Sequence, residues 1–106
     1  MKAYRFLEEA DAEFQEHISY YDQQAPGLGD RFIEDADRVI RSIRRWPESG
    51  VRIAKNVRKR VLRVFKFGIL YVDEPDEIII VAVAHHKRRP GYWRKRLRKL
   101  RRQGRS

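Results

Sequence analysis

The chain has 106 residues, enough for one domain with a single core, and its 42% hydrophobic and 38% charged content exclude a disordered chain. The lack of cysteine excludes disulfides and thiol chemistry. No apolar run approaches the ~18 residues of a membrane span, and the opening MKAYRFLEEADAEF turns acidic without an apolar core, so a cytoplasmic protein with neither anchor nor secretory signal is expected.

AYRFL, residues 3–7, predicts a short strand. Residues 8–24 predict a helix whose Ala10, Phe14, Ile18 and Tyr21 share one face, and its acidic first turn suits the positive end of the helix dipole. The break APGLGD separates it from a second helix over 28–45, with Leu28, Phe32, Ala36, Val39, Ile40 and Ile43 as the apolar stripe and Pro47 as the stop. The short break predicts an antiparallel helical hairpin. WPESGVRIAKN reads as a loop. Three strands are then expected, over 57–64, 67–73 and 78–84, joined by short turns into an antiparallel meander. The last is an unbroken apolar run, IIIVAVA, which predicts an interior strand. A helix is expected over 90–102, with Tyr92, Trp93, Leu97 and Leu100 apolar and Pro90 near its start. The order β-α-α-β-β-β-α describes an α+β, two-layer domain over residues 1–102, with a frayed basic end at 103–106.

The net charge of +10 is unevenly placed. Residues 1–50 carry 7 Lys/Arg against 11 Asp/Glu, whereas residues 87–106 carry 11 Lys/Arg and no acid. The basic end calls for a polyanionic or acidic partner, nucleic acid or protein, and has too few large apolar residues to insert into a membrane surface. It opens with HHKRRPGYWRKR directly after the interior strand.

These features together resemble the RelE/ParE superfamily, the toxin half of type II toxin–antitoxin modules, and most closely its ParE-like plasmid stabilisation branch. The similarity rests on Ala12, Glu13 and Tyr20-Tyr21 in the first helix, Gly27-Leu28-Gly29 and Phe32 opening the second, Ile43 and Pro47, Arg60 ahead of FKFGILY, and above all IIIVAVAHHKRRPGYWRKR. One departure is Phe65-Lys66-Phe67, where the family often has Phe-Pro-Tyr. The resemblance implies a growth-inhibiting toxin without cofactor or metal, held by a cognate antitoxin in a hetero-oligomer. It implies two alternative activities. ParE-type toxins poison DNA gyrase by protein contact without hydrolysis, and RelE-type toxins cleave mRNA on the ribosome without a metal. A third alternative is an inactive homologue that serves only in a repressor complex with its antitoxin.

The residues themselves leave both activities open. A ribonuclease would draw on Arg60, Arg63, His86, Arg88 and Tyr92 for charge, a base and a stacking ring. A target-binding surface would use Arg88, Arg89, Tyr92 and Arg96. Against these stand plainer roles. The cations of 58–63 could protect an edge strand or snorkel, one of His85 and His86 could pack on the sheet end, and Trp93 could anchor the last helix. A metal role for the histidines is weak, since only His17 completes their number.

Overall fold

The computed structural model describes residues 1–103, with side chains through Leu100. Strand β1 (Ala3–Phe6) leads into α1 (Glu8–Gln24) and α2 (Leu28–Arg45), then one 3-10 turn (Pro47–Ser49), β2 (Val51–Ala54), β3 (Val57–Val61), β4 (Phe67–Asp73), β5 (Glu77–His85) and α3 (Arg94–Gln103). The five strands form one sheet in the order β1-β5-β4-β3-β2. β1 lies parallel to β5, and the other neighbours are antiparallel.

The helical hairpin is where the sequence pattern places it. Glu8, Glu9 and Asp11 stand in the first turn of α1. Gly27 precedes α2 at φ 83, a left-handed conformation that favours glycine. Asp22 of α1 then accepts a hydrogen bond from the Gly29 N–H at 2.9 Å, satisfying an open donor at the start of α2. A Cβ at Gly29 would sit 2.5 Å from that carboxylate oxygen, so the close approach needs glycine. Phe32, Ala36, Val39, Ile40 and Ile43 turn the α2 stripe onto the sheet, where Ile69, Tyr71, Ile78 and Ile80 are fully buried. The phenol of Tyr71 donates to the Pro47 carbonyl at 2.6 Å and accepts from the Gly50 N–H at 2.9 Å, tying the 3-10 turn to this face.

Three boundaries differ from the sequence pattern, each for a local reason. The segment expected as a loop contains β2, so the antiparallel part has four strands rather than three and β3 is not an edge. β2 is only four residues with a register shift between Arg52 and Ala54, too short and irregular for a clear alternation. β3 ends at Val61 rather than residue 64, because the backbone N–H groups from Arg63 onward turn toward Asp35. α3 starts at Arg94 rather than Pro90, because Gly91 takes φ 78, which no helix interior adopts. Of the expected frayed end, only Gln103 belongs to the described residues, as the last of α3; 104–106 lie outside them.

α3 and the turn before it cover part of the second sheet face. Trp93 shares a groove with Lys59, Leu70 and Ala84, and Leu100 shares one with Arg5 and Ile79. The remaining part, over β2 and β3, is uncovered: Val51 and Val61 are 71% and 64% exposed.

Candidate target-binding site

The β3–β4 loop is built around an internal anion. Asp35 of α2 is 2% exposed, and its carboxylate accepts hydrogen bonds from the N–H groups of Arg63, Val64 and Phe65 at 3.1, 2.8 and 3.0 Å. Arg38 adds a contact at 3.3 Å. A buried carboxylate needs such compensation, and the loop supplies it with consecutive backbone donors. The side chains of Arg63, Val64 and Lys66 are thereby left on the solvent side. Asp35 had one legible signal: it sits three residues after Phe32 and four before Val39, inside an apolar stripe where an acid is out of place.

The far end of β5 is built around a second carboxylate. β1 pairs with β5 only as far as Phe6 opposite Ile80, so the edge of β5 beyond that point has no neighbouring strand. The β4–β5 register also slips, leaving Val81 as the extra, bulged residue between Ile80 and Ala82. Side chains satisfy this bare edge. The Val83 N–H donates to Glu13 at 3.2 Å, the His17 Nε2 lies 3.1 Å from the Val83 carbonyl, and Arg96 donates to the Val81 carbonyl at 3.0 Å. Arg96 grips both Glu13 oxygens at 2.7 and 3.0 Å, and the Tyr92 hydroxyl donates to the same carboxylate at 2.6 Å. The Arg88 guanidinium lies 4.2 Å from the centre of the Tyr92 ring, and that of Arg96 lies at 5.1 Å. Burial first, then the hydrogen bond to Glu13 and its negative charge, push the Tyr92 phenol well above its ordinary pKa. Tyr92 is therefore a hydrogen-bond donor to Glu13 and remains so throughout the neutral range.

Between these two anchors lies a trough on the uncovered sheet face. A groove of about 280 Å³ has Ile53, Leu70, Ala84 and Trp93 along its apolar parts and Lys59, His86, Arg88, Arg89 and Arg94 among its polar ones. A second hollow of about 490 Å³ shares Lys59 and His86 and adds Val61, Arg63, Val64 and Lys66. Neither hollow is lined by an acidic residue. Trp93 is 4% exposed and closes one wall. Apolar floor and cationic rim together suit an acidic ligand with aliphatic or aromatic anchors, or a strand of phosphates.

This arrangement can be set beside known proteins. A family model described as "ParE toxin of type II toxin-antitoxin system, parDE" matches residues 4–90. The chain belongs to the ParE toxin family. It is the toxin component of a type II toxin–antitoxin system, and its partner is an antitoxin. No curated protein matches the sequence. A solved structure titled "Chromosomal ParDE TA system from P. aeruginosa" is similar to this ParE toxin with a TM-score of 0.70 at 16% identity, over 80% of this chain and 96% of that one, which is a likeness of fold. The family match ends at Pro90, so Tyr92, Trp93, Arg96 and α3 of this ParE toxin lie beyond it.

The five residues considered for RNA cleavage are divided in this ParE toxin: His86, Arg88 and Tyr92 line the first groove, Arg63 lines the second hollow and Arg60 lines neither. Arg60 is committed to the helical side, where it donates to the hydroxyls of Ser42 and Ser49 at 3.0 and 2.6 Å. Its neighbour Arg58 does likewise with the carbonyls of Gly50 and Glu48, at 2.9 and 3.2 Å. Both cations thus snorkel toward the 3-10 turn, and since β2 flanks β3 they do not guard an edge. Arg63 and His86 meet at the second hollow, and the His86 Nδ1 lies 3.3 Å from the Lys66 carbonyl. Arg88 stacks on Tyr92, whose hydroxyl points into the Glu13 cluster. Of the residues considered for target binding, Arg88 and Arg89 are exposed at the groove, whereas Arg96 and the Tyr92 hydroxyl are held internally. His85 is half-buried with its ring edge-on to Phe67, and its Nδ1 accepts from the Lys87 N–H at 3.1 Å. Burial, then the positive charge of His86, Lys87, His17 and Lys66, lowers the His85 pKa. Among the described residues no three His, Asp or Glu side chains gather to hold a metal, and no helix is long and apolar enough to cross a membrane.

Proposed function

We propose that this toxin acts in the cytoplasm on DNA gyrase, by protein–protein contact through the cationic trough, and performs no hydrolysis. One observation carries the reading. Catalysis of RNA cleavage needs a base, a charge clamp and a stacking ring within hydrogen-bond reach of one phosphate. Here Arg60 is bonded on the helical side of the sheet, the Tyr92 hydroxyl is bonded to Glu13, and Arg63 lines a different hollow from Arg88 and Tyr92, with His86 common to both. What remains on the open face is a binding surface of Lys59, Lys66, Arg88, Arg89 and Arg94 around apolar residues. An acidic, apolar-anchored protein segment is its natural ligand. The antitoxin forms a hetero-oligomer with the toxin and restrains it.

The test is controlled expression in a bacterial host with labelled thymidine and labelled methionine. DNA synthesis is expected to stop before protein synthesis, and co-expression of the antitoxin is expected to restore growth. Arrest of translation first, with cleaved mRNA, would favour the ribosome-dependent nuclease. Normal growth at high levels of soluble protein would leave the chain as an inactive partner in a repressor complex.

A further inference from the structure

We infer that Glu13 is a positioning residue for the toxin's action: from helix α1 it holds the arm Arg88–Arg96 in place as one wall of the trough, although it does not line the trough itself. The inference rests on the reading that the trough meets the target.

The arm has little else to fix its orientation. Between the end of β5 and the start of α3 its backbone bonds are mostly local turns: Arg88 to His85, Tyr92 to Arg89 and Arg94 to Gly91. The His86 N–H reaches Lys66 at 3.0 Å, but only at the arm's root. Trp93, Leu97 and Leu100 pack on the body, and apolar contact of this kind gives affinity without direction. Direction comes from polar bonds, and these converge on one group. Glu13 accepts from Tyr92 once and from Arg96 twice, and the guanidinium it orients reaches the bulged Val81 carbonyl. The one other ion pair between the arm or α3 and the body among the described residues, Lys99 with Glu9, is exposed and long at 3.4 Å. Glu13 and Arg96 are different in kind, since their side chains are only 16% and 13% exposed and the bond is a two-pronged carboxylate–guanidinium pair. Tyr92 and Arg96 bracket Trp93, so fixing both fixes the indole between them. Arg88, stacked on the Tyr92 ring, is carried along. The carboxylate thus acts around the bare edge of β5, from the helix layer to the opposite sheet face.

Glu13→Gln separates orientation from packing. The amide keeps the size of the side chain and one acceptor oxygen, for Val83 or for Tyr92 since these donate to different oxygens of Glu13, but it loses the charge that holds Arg96. The ratio of docked to undocked arm is expected to fall roughly 10–100-fold, the range of one lost charge-assisted bond. The chain has two tryptophans, and Trp46 is 63% exposed, so a Trp46→Phe background leaves Trp93 as the sole reporter. In that background Glu13→Gln is expected to shift Trp93 emission to the red and open it to acrylamide quenching, with the circular dichroism of the body unchanged and growth arrest lost. Adding Arg96→Met to Glu13→Gln should change little further, because the pair is already broken. Two results overturn the inference. One is a Glu13→Gln protein that arrests growth fully while Arg88→Ala with Arg89→Ala does not. The other is a Glu13→Gln protein whose body unfolds, which makes the carboxylate a core element rather than a positioning one. If both variants arrest growth fully, it is the reading of the trough that fails.

Discussion

On the helical face of the sheet, Ile69, Tyr71, Ile78 and Ile80 are sealed under α1 and α2, and the polar groups there are bonded within the chain: Asp35 to three backbone donors, Arg60 to Ser42 and Ser49. On the opposite face Val51 and Val61 lie open, and among the described residues Lys59, Lys66, Arg88, Arg89 and Arg94 take part in no ion pair. The same residue type thus has two uses within one small domain. An arginine bonded to hydroxyls and carbonyls is part of the frame, whereas an arginine beside an apolar groove with no acid near it is available to a partner. Position relative to the sheet faces separates the two, and sequence neighbourhood does not, since Lys59 and Arg60 are adjacent and face opposite ways.

The contrast can be broken at several points. The largest effect is expected at Trp93, the large buried side chain that the arm contributes on the open side. Trp93→Ala should cost about 3–5 kcal/mol in denaturant unfolding, and a loss under 1 kcal/mol would make the arm peripheral to the fold. Ile80→Ala, in the sealed core between β1 and β4, is expected to cost ~2–5 kcal/mol; a melting temperature within a degree or two of wild type would contradict a core strand there. Asp35→Ala leaves three loop N–H groups without their acceptor and should cost about 1–3 kcal/mol. Hydrogen exchange at Arg63, Val64 and Phe65 should quicken in that variant while β5 stays protected, and unchanged exchange would show that another group holds the loop. The smallest stability effect belongs to Arg88→Ala with Arg89→Ala, about 1 kcal/mol or less for the pair, mostly from the stacking on Tyr92. That variant sharpens the comparison most, because it should fold, bind antitoxin and fail to arrest growth.

Much of the frame was legible in the sequence. Helical spacing and the Pro-Gly break gave α1 and α2 their full extents, and the unbroken run IIIVAVA marked an interior strand. What escaped was whatever depends on partners distant in sequence. β2 is four residues long and owes its place to β3. Asp35 is buried because the loop nearly thirty residues later brings donors to it. The role of Glu13 depends on where β1 stops and where the bulge at Val81 falls. The segment HHKRRPGYWRKR read from sequence as one basic surface, but it divides: Arg88 and Arg89 face the trough, while the Tyr92 hydroxyl and Arg96 turn inward to Glu13. A four-residue step along an irregular arm reverses direction, and no periodicity announces it.

The central claim is that the open, cationic face meets a protein target without hydrolysis. The most direct measurement is DNA supercoiling by purified gyrase in the presence of the purified toxin, with mRNA integrity followed beside it in a translating extract. Wild-type toxin is expected to inhibit supercoiling and leave mRNA intact, and the Arg88→Ala, Arg89→Ala protein is expected to lose that inhibition while remaining folded. Unimpaired supercoiling together with mRNA cut in the translating extract would contradict the account.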